Sequence, residues 1–394
     1  MAAIFIDSDI SWARLQTRTT PMPETPMSIS HRTRWLLCAV ALLLGAWTSA
    51  SNAETIVSKE NWGSLPDGQA VELFTMRDGP LIVQVSNYGA RIVAIRVPDH
   101  SGQTGNIVLG FPGVERYLEP RNAVMGATVG RFANRIARGH FALDGSEYTI
   151  PPNNNGNALH GGPLGFNKKV WTAHVLKNGV EMSLVSPDGD MGFPGNLSVQ
   201  VTFTLVKHGH DPALSIVYRA STDRTTVINL TNHAFFNLSA TGEDPVFDDV
   251  AWIDADRYTP VDSNGIPTGE IETVHGTAFD FTTPHAIGEK APERGYDQNF
   301  VLSVHHNTSP NAEIRDPKSG RTLQVITDQP GLQFYVPRLP PSASVASRPG
   351  IAAFCLETQH FPDSPNHPNF PSTTLRPKQL FKSQTLYVFR VDKK

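Results

Sequence analysis

Short apolar stretches that alternate with polar residues and are closed off by turn residues recur along this chain, and they fix its fold class before any motif is considered. LIVQV (81–85), RIVAIRV (91–97), LSVQVTFTLV (197–206), LSIVYRA (214–220) and TLYVFRV (385–391) are all of this kind. A strand places successive side chains on opposite faces, so such a pattern buries one face and wets the other. Gly and Pro, at 31 residues each, supply the turn signals between the stretches. No stretch keeps helical periodicity long enough to specify a helix. The Pro/Ser-rich piece RLPPSASVASRPG (338–350) is flanked by strand-like residues and reads as a loop inside the domain rather than a linker. No internal repeat of fixed period is present. The expectation is an all-β chain: one large antiparallel β-sandwich with its polar clusters on loops and strand ends.

The folded part is expected to begin well inside the chain. Met27 opens a segment with Arg32 and Arg34, the apolar run WLLCAVALLLGAW (35–47) and the small residues Ser51, Asn52 and Ala53. That is the layout of a secretory signal cleaved after Ala53, and the apolar run is shorter than the roughly 20 residues that span a bilayer. The sequence therefore divides into an upstream extension (1–26) outside the fold, a signal peptide (27–53) and a single domain (54–394). The protein is expected to be exported, periplasmic or secreted, without stable membrane association after cleavage. Cys38 falls in the signal, so the remaining Cys355 has no internal partner and export does not bring a disulfide framework. Residues 54–394 carry 29 Lys/Arg against 34 Asp/Glu, a formal charge of −5. A mildly acidic domain offers no electrostatic case for nucleic acid. Oligomeric state is not legible.

Five segments place polar residues where a plain strand or turn does not need them: GRFANRIARGHF (130–141), NALHGG (157–162), TNHAFFNL (231–238), YDQNF (296–300) and FCLETQHFPDSPNHPNFP (354–371). Each also has a bland account. His160 is a histidine in a glycine-rich turn, Arg135 and Asp297 a surface ion pair, His233 a satisfied core histidine and Glu357 a solvated charge. In combination and in this order, from about Ser86 to Val391, the segments resemble the aldose 1-epimerase family, the galactose mutarotases. SPDGDMGFPGNLSVQVTFTL (186–205), IPTGE (266–270), GTAFDF (276–281) and GLQFY (331–335) are similar to it as well.

The resemblance implies the large β-sandwich of that family, in agreement with the strand pattern. It also implies roles. His233 corresponds to the general acid, Glu357 to the general base, and His160 to the histidine that holds the sugar and polarises its ring oxygen. Asn134, Arg135, Asp297 and Gln333 correspond to residues that bind the sugar. The implied activity is interconversion of the α and β anomers of free aldohexoses such as galactose and glucose.

The chemistry accounts for these residue types. Opening a pyranose requires the C1 hydroxyl to lose a proton while the ring oxygen gains one; rotation about C1–C2 and reversal of both transfers close the ring on the other face. One acid and one base are enough, and no cofactor is needed. At neutral pH a glutamate near its ordinary pKa of ~4.3 is a ready base, and a histidine raised above ~6.5 by carboxylates is a ready acid. On that expectation Glu357 sets the acid limb of the pH profile and His233 the alkaline limb. Phe235, Phe236 and Phe334 are candidates for a pocket floor, although aromatic residues in strands belong more often to the core.

Other readings have less support. His160, His233, His360 and Glu357 are zinc-binding types, but none of the histidines is spaced as a zinc pair, and the HGH at 208–210 reads as a hairpin turn, so no metal is expected. A sugar phosphate would call for a basic cluster that is not evident. A non-catalytic carbohydrate-binding module on the same fold is the alternative, and it is disfavoured by the presence of both acid and base. The chain departs from the family after GLQFY, where VPRLPPSASVASRPG replaces a Thr-Gly-Asn-Phe type segment; this bears on substrate range more than on the reaction.

Overall fold

Alternation is realised almost everywhere in the computed structural model, which describes residues 55–242, 244–303, 309–337 and 353–392. Strands, turns and short 3-10 turns make up these segments, with no α-helix among the described residues. The expected signal and the 338–350 loop lie outside them.

All strands of the three large sheets, numbered β1 to β19 in chain order, pair antiparallel. The first sheet is a meander of β1 (Ile56–Ser64), β2 (Ala70–Asp78), β3 (Leu81–Ser86), β4 (Arg91–Pro98) and β5 (Thr104–Asn106). A nine-stranded sheet opens with β6 (Thr172–Leu176), β7 (Gly179–Ser186), β8 (Leu197–His208) and β9 (Asp211–Thr222). It continues through the C-terminal strand β19 (Phe381–Val391) to β16 (Arg321–Thr327), β15 (Ala312–Arg315), β10 (Val250–Ile253) and β13 (His285–Ala286). The third sheet has the order β12 (Glu272–Thr273), β11 (Arg257–Thr259), β14 (Gly295–Val301), β17 (Gly331–Pro337) and β18 (Cys355–Gln359).

The long β8–β9 hairpin shows how the pattern fixes register. His208 pairs with Asp211 across a turn formed by Gly209 and His210, as the HGH reading anticipated. That register sets Phe203 opposite Ile216 and Leu205 opposite Leu214, all buried, while Ser198 and Gln200 face out. A shift of one residue would expose the whole apolar row, at roughly 1.5–3 kcal/mol per large side chain. The same continuous core takes in Phe74, Val83 and Ile95 of the first sheet and Leu332, Phe334 and Leu356 of the third. Two short ladders, Thr128–Val129 with Thr231–Asn232 and Arg135–Ile136 with Ala158–Leu159, carry the loops that meet the third sheet.

Candidate active site

On the third sheet, register and period 2 decide which side chains lie together. Asp297 on β14 stands opposite Tyr335 on β17, which stands opposite Cys355 on β18; the next row on the same face is Asn299, Gln333 and Glu357. The intervening Phe334 and Leu356 point into the core. Thus Phe334 and Phe236 are core residues, as strand statistics anticipated, whereas Phe235 lines the cavity.

The Thr231–Asn232 ladder delivers His233 to this face. Its N–H donates to the Ala127 carbonyl at 2.9 Å, and its carbonyl accepts from Gly126 N–H at 2.8 Å. The imidazole stacks on Phe235, with centroids 4.9 Å apart, and meets the His160 ring edge-on at 5.2 Å. His233 Nε2 lies 3.5 Å from Glu357 Oε1. With His233 and Glu357 only 5% and 2% exposed, neither the solvated charge nor the satisfied core histidine describes them: among the described residues His233 Nδ1 and Glu357 Oε2 have no hydrogen-bond partner.

A second clasp holds His160. Its N–H donates to the Asn134 carbonyl at 3.0 Å, and Asn134 N–H donates to His160 Nδ1 at 3.2 Å. With Nδ1 accepting, the neutral ring carries its proton on Nε2, which is left as a donor. His160 sits at φ +54°, followed by Gly161 and Gly162 at +82° and +88°. A Cβ at Gly161 would strike the Gly130 carbonyl oxygen. The NALHGG segment is therefore a left-handed turn, and holding a histidine there costs on the order of 1–2 kcal/mol. The turn account holds, and the turn also sets His160 at the edge of a cavity.

These residues share a cavity of about 570 Å³, lined by His160, His233, Glu357, Asn134, Arg135 and Asp297 together with Phe235 and Tyr335. Arg135 Nη2 lies 3.3 Å from Asp297 Oδ2, so the ion pair exists, but it stands in the cavity wall. Gln333 is buried beside Glu357 in the same row and donates Nε2–H to Asp297 Oδ1 at 2.6 Å. Sequence reasoning missed Tyr335, Asn153, Asn154, Arg121 and Lys168, which also line the cavity. Period 2 from Gln333 was enough to find Tyr335. The NNNGN run gave only a turn signal, and nothing in the sequence placed Arg121 or Lys168.

A family model for aldose 1-epimerase matches residues 72–388. The chain is 42% identical over 343 residues to galactose mutarotase of Sus scrofa, covering 85% of this chain and 99% of that one. The chain belongs to the aldose 1-epimerase family. Aldose 1-epimerase of Escherichia coli (strain K12) is 36% identical over 340 residues, covering 82% of this chain and 96% of that one. The crystal structure of galactose 1-epimerase from Lactobacillus acidophilus NCFM superposes with a TM-score of 0.74 at 26% identity, covering 85% and 99% of the two chains. As a member of the aldose 1-epimerase family the protein is an isomerase.

The electrostatics of this epimerase site correct the protonation expected from sequence. Burial, reinforced by the Asp297 carboxylate and opposed by Arg135, holds the Glu357 pKa well above the usual carboxylate range. Burial pulls His233 down to about 4, against smaller upward pushes from its own backbone and Asp297. Burial, then His233 and Arg135, keeps His160 well below 6.5. The sequence reading had Glu357 ordinary and His233 raised; desolvation of His233 outweighs the Asp297 carboxylate, and desolvation of Glu357 outweighs Arg135. The unpartnered Nδ1 agrees, because an imidazolium would leave a buried N–H without an acceptor. In the free site burial therefore favours the neutral form of both Glu357 and His233.

His160, His233 and Glu357 also present one ligand atom each within 4.8 Å of one another, a grouping that their sequence spacing did not reveal. His160 Nδ1 is already engaged, which leaves Nε2 as its only free ligand atom. His360, the fourth zinc-type residue considered, is elsewhere, with Nδ1 2.9 Å from Gln329 Oε1.

Proposed function

We propose that this epimerase interconverts the α and β anomers of free aldohexoses, galactose and glucose among them, with Glu357 and His233 exchanging protons with the C1 hydroxyl and the ring oxygen. The observation that carries the reading is the 3.5 Å approach of His233 Nε2 and Glu357 Oε1, both buried, in a cavity lined by hydrogen-bonding groups. A sugar seated there replaces that contact with its C1–OH and O5. One member of the pair accepts the C1–OH proton as the other protonates O5 and the C1–O5 bond breaks, giving the aldehyde; after rotation about C1–C2 both transfers reverse. Because the pair holds one proton throughout, no net proton is consumed and the pair is reset after each turnover. His160 Nε2–H is a fixed donor for the ring oxygen, and Arg135, Asp297 and Asn134 offer opposite polarities to hydroxyls, with Gln333 orienting Asp297.

Polarimetry of freshly dissolved α-galactose and α-glucose tests this. Mutarotation is expected to run faster than in buffer alone; sugar binding without acceleration would instead establish a carbohydrate-binding module. We further propose that the protein is exported, on the strength of the basic, apolar and small-residue layout of 27–53. N-terminal sequencing of the secreted protein is expected to begin at or near Glu54.

A further inference from the structure

Arg91, which no motif singled out, is a fully buried cation at the start of β4. Its guanidinium lies between two aromatic faces, 4.8 Å from the Tyr88 ring centroid and 4.3 Å from that of Tyr117. Among the described residues no carboxylate is paired with it; its N–H groups go to main-chain carbonyls. Nε donates to Tyr88 at 2.6 Å, Nη1 to Met125 at 3.2 Å, and Nη2 to Asn167 at 2.9 Å and Ala123 at 3.4 Å.

The acceptors are specific to one place. Ala123 and Asn167 belong to two chain segments that form one wall of the sugar cavity, and Asn167 Nδ2 donates to the Ala123 carbonyl at 3.0 Å to complete the joint. Met125 precedes Gly126, whose N–H holds the His233 carbonyl at 2.8 Å and whose own carbonyl accepts from Asn232 Nδ2 at 2.8 Å. No side chain other than a planar, multiply donating guanidinium can bind these carbonyls at once.

We propose that Arg91 is a positioning residue for this site, fixing the cavity wall at Ala123 and Asn167 and, through Met125 and Gly126, the backbone that carries His233, without touching the sugar. The proposal rests on the reading of His233 and Glu357 as the proton-transfer pair. Arg321 is the natural control: it is also buried and donates to the carbonyls of Val97, Leu238, Ser239 and Gln103, none of which lines the cavity.

The test compares Arg91→Met, Arg91→Lys and Arg321→Met in the full-length protein, each assayed below its own melting transition as judged by circular dichroism. Arg91→Met is expected to lower kcat by roughly 10²-fold, the scale of a 1 Å misplacement at a reacting group, with a smaller change in KM. Arg91→Lys, which restores the charge and part of the bonding, is expected to recover a portion of kcat. Arg321→Met is expected to melt earlier but to keep wild-type kcat while folded. Folded Arg91→Met with wild-type kcat overturns the proposal, as does an equal loss of kcat in Arg321→Met. If Arg91→Met does not fold, Arg91→Lys decides: wild-type kcat and KM in that variant also overturn it. Glu357→Gln, run in parallel, separates the two levels, since normal turnover there sinks the proton-transfer reading itself, whereas impaired turnover there beside an unaffected Arg91 series sinks only the role of Arg91.

Discussion

Two sets of buried ionisable groups in this molecule are treated in opposite ways. Arg131, 1% exposed, spends its guanidinium on the carbonyls of Ser186, Pro187, Pro194 and Gly195 and the hydroxyls of Ser186 and Thr226. The site pair His233 and Glu357, buried almost as deeply, makes one long contact, and among the described residues its Nδ1 and Oε2 are unpartnered. A charge whose two terminal nitrogens make six hydrogen bonds, and which among the described residues leaves only Nε over, is held in place and chemically silent. An unsaturated one is destabilised in the free protein and free to engage a ligand, which is the arrangement that a proton-transfer site needs. Stability and reactivity are thus separated by how many hydrogen bonds hold the group rather than by depth.

The largest effect that can break this comparison is on turnover. Glu357→Gln removes one end of the exchange and is expected to lower kcat by roughly 10² or more while galactose still binds by calorimetry; His233→Asn is expected to do the same. Normal kcat in either variant would remove the distinction between the two sets. Arg131→Met is expected to show the reverse signature, a loss on the order of 3 kcal/mol in denaturant unfolding, because several buried carbonyls lose their donor together.

A finer test is the pH profile. If the active form has both groups neutral, as their burial favours, protonation of His233 is expected to end activity toward pH 4 and ionisation of Glu357 to end it on the alkaline side. The acid limb therefore belongs to His233 and the alkaline limb to Glu357, opposite to the sequence expectation. His233→Asn that removes the alkaline limb and keeps the acid limb would restore the original assignment.

The smallest expected effect is on stability. A carboxyl whose pKa is raised in the folded protein makes the fold less stable as pH climbs above the unfolded value of 4.5, since the unfolded chain ionises first. Glu357→Gln is therefore expected to melt above the wild type at pH 8, by roughly 2 °C, with the difference vanishing below about pH 4.5. A melting point that falls on substitution would show that the carboxyl is satisfied in the fold after all.

The sequence determined what depends on neighbours in the chain. Alternation in LSVQVTFTLV and TLYVFRV gave the strands, because a half-buried strand must repeat every two residues. The glycines of NALHGG gave a left-handed turn, because Gly161 has no room for a Cβ. The motifs gave the family and named His160, His233, Glu357, Asn134, Arg135 and Asp297, which the fold brings to one cavity. What the tertiary structure decided is everything that depends on which segments meet: that Gln333 donates to Asp297, and that Arg91 ties together Ala123, Met125 and Asn167. Above all it decided in which direction burial shifts Glu357 and His233. Ionisation is governed by the solvent that a group loses, and a linear sequence states which groups are present but not how much water the fold leaves them.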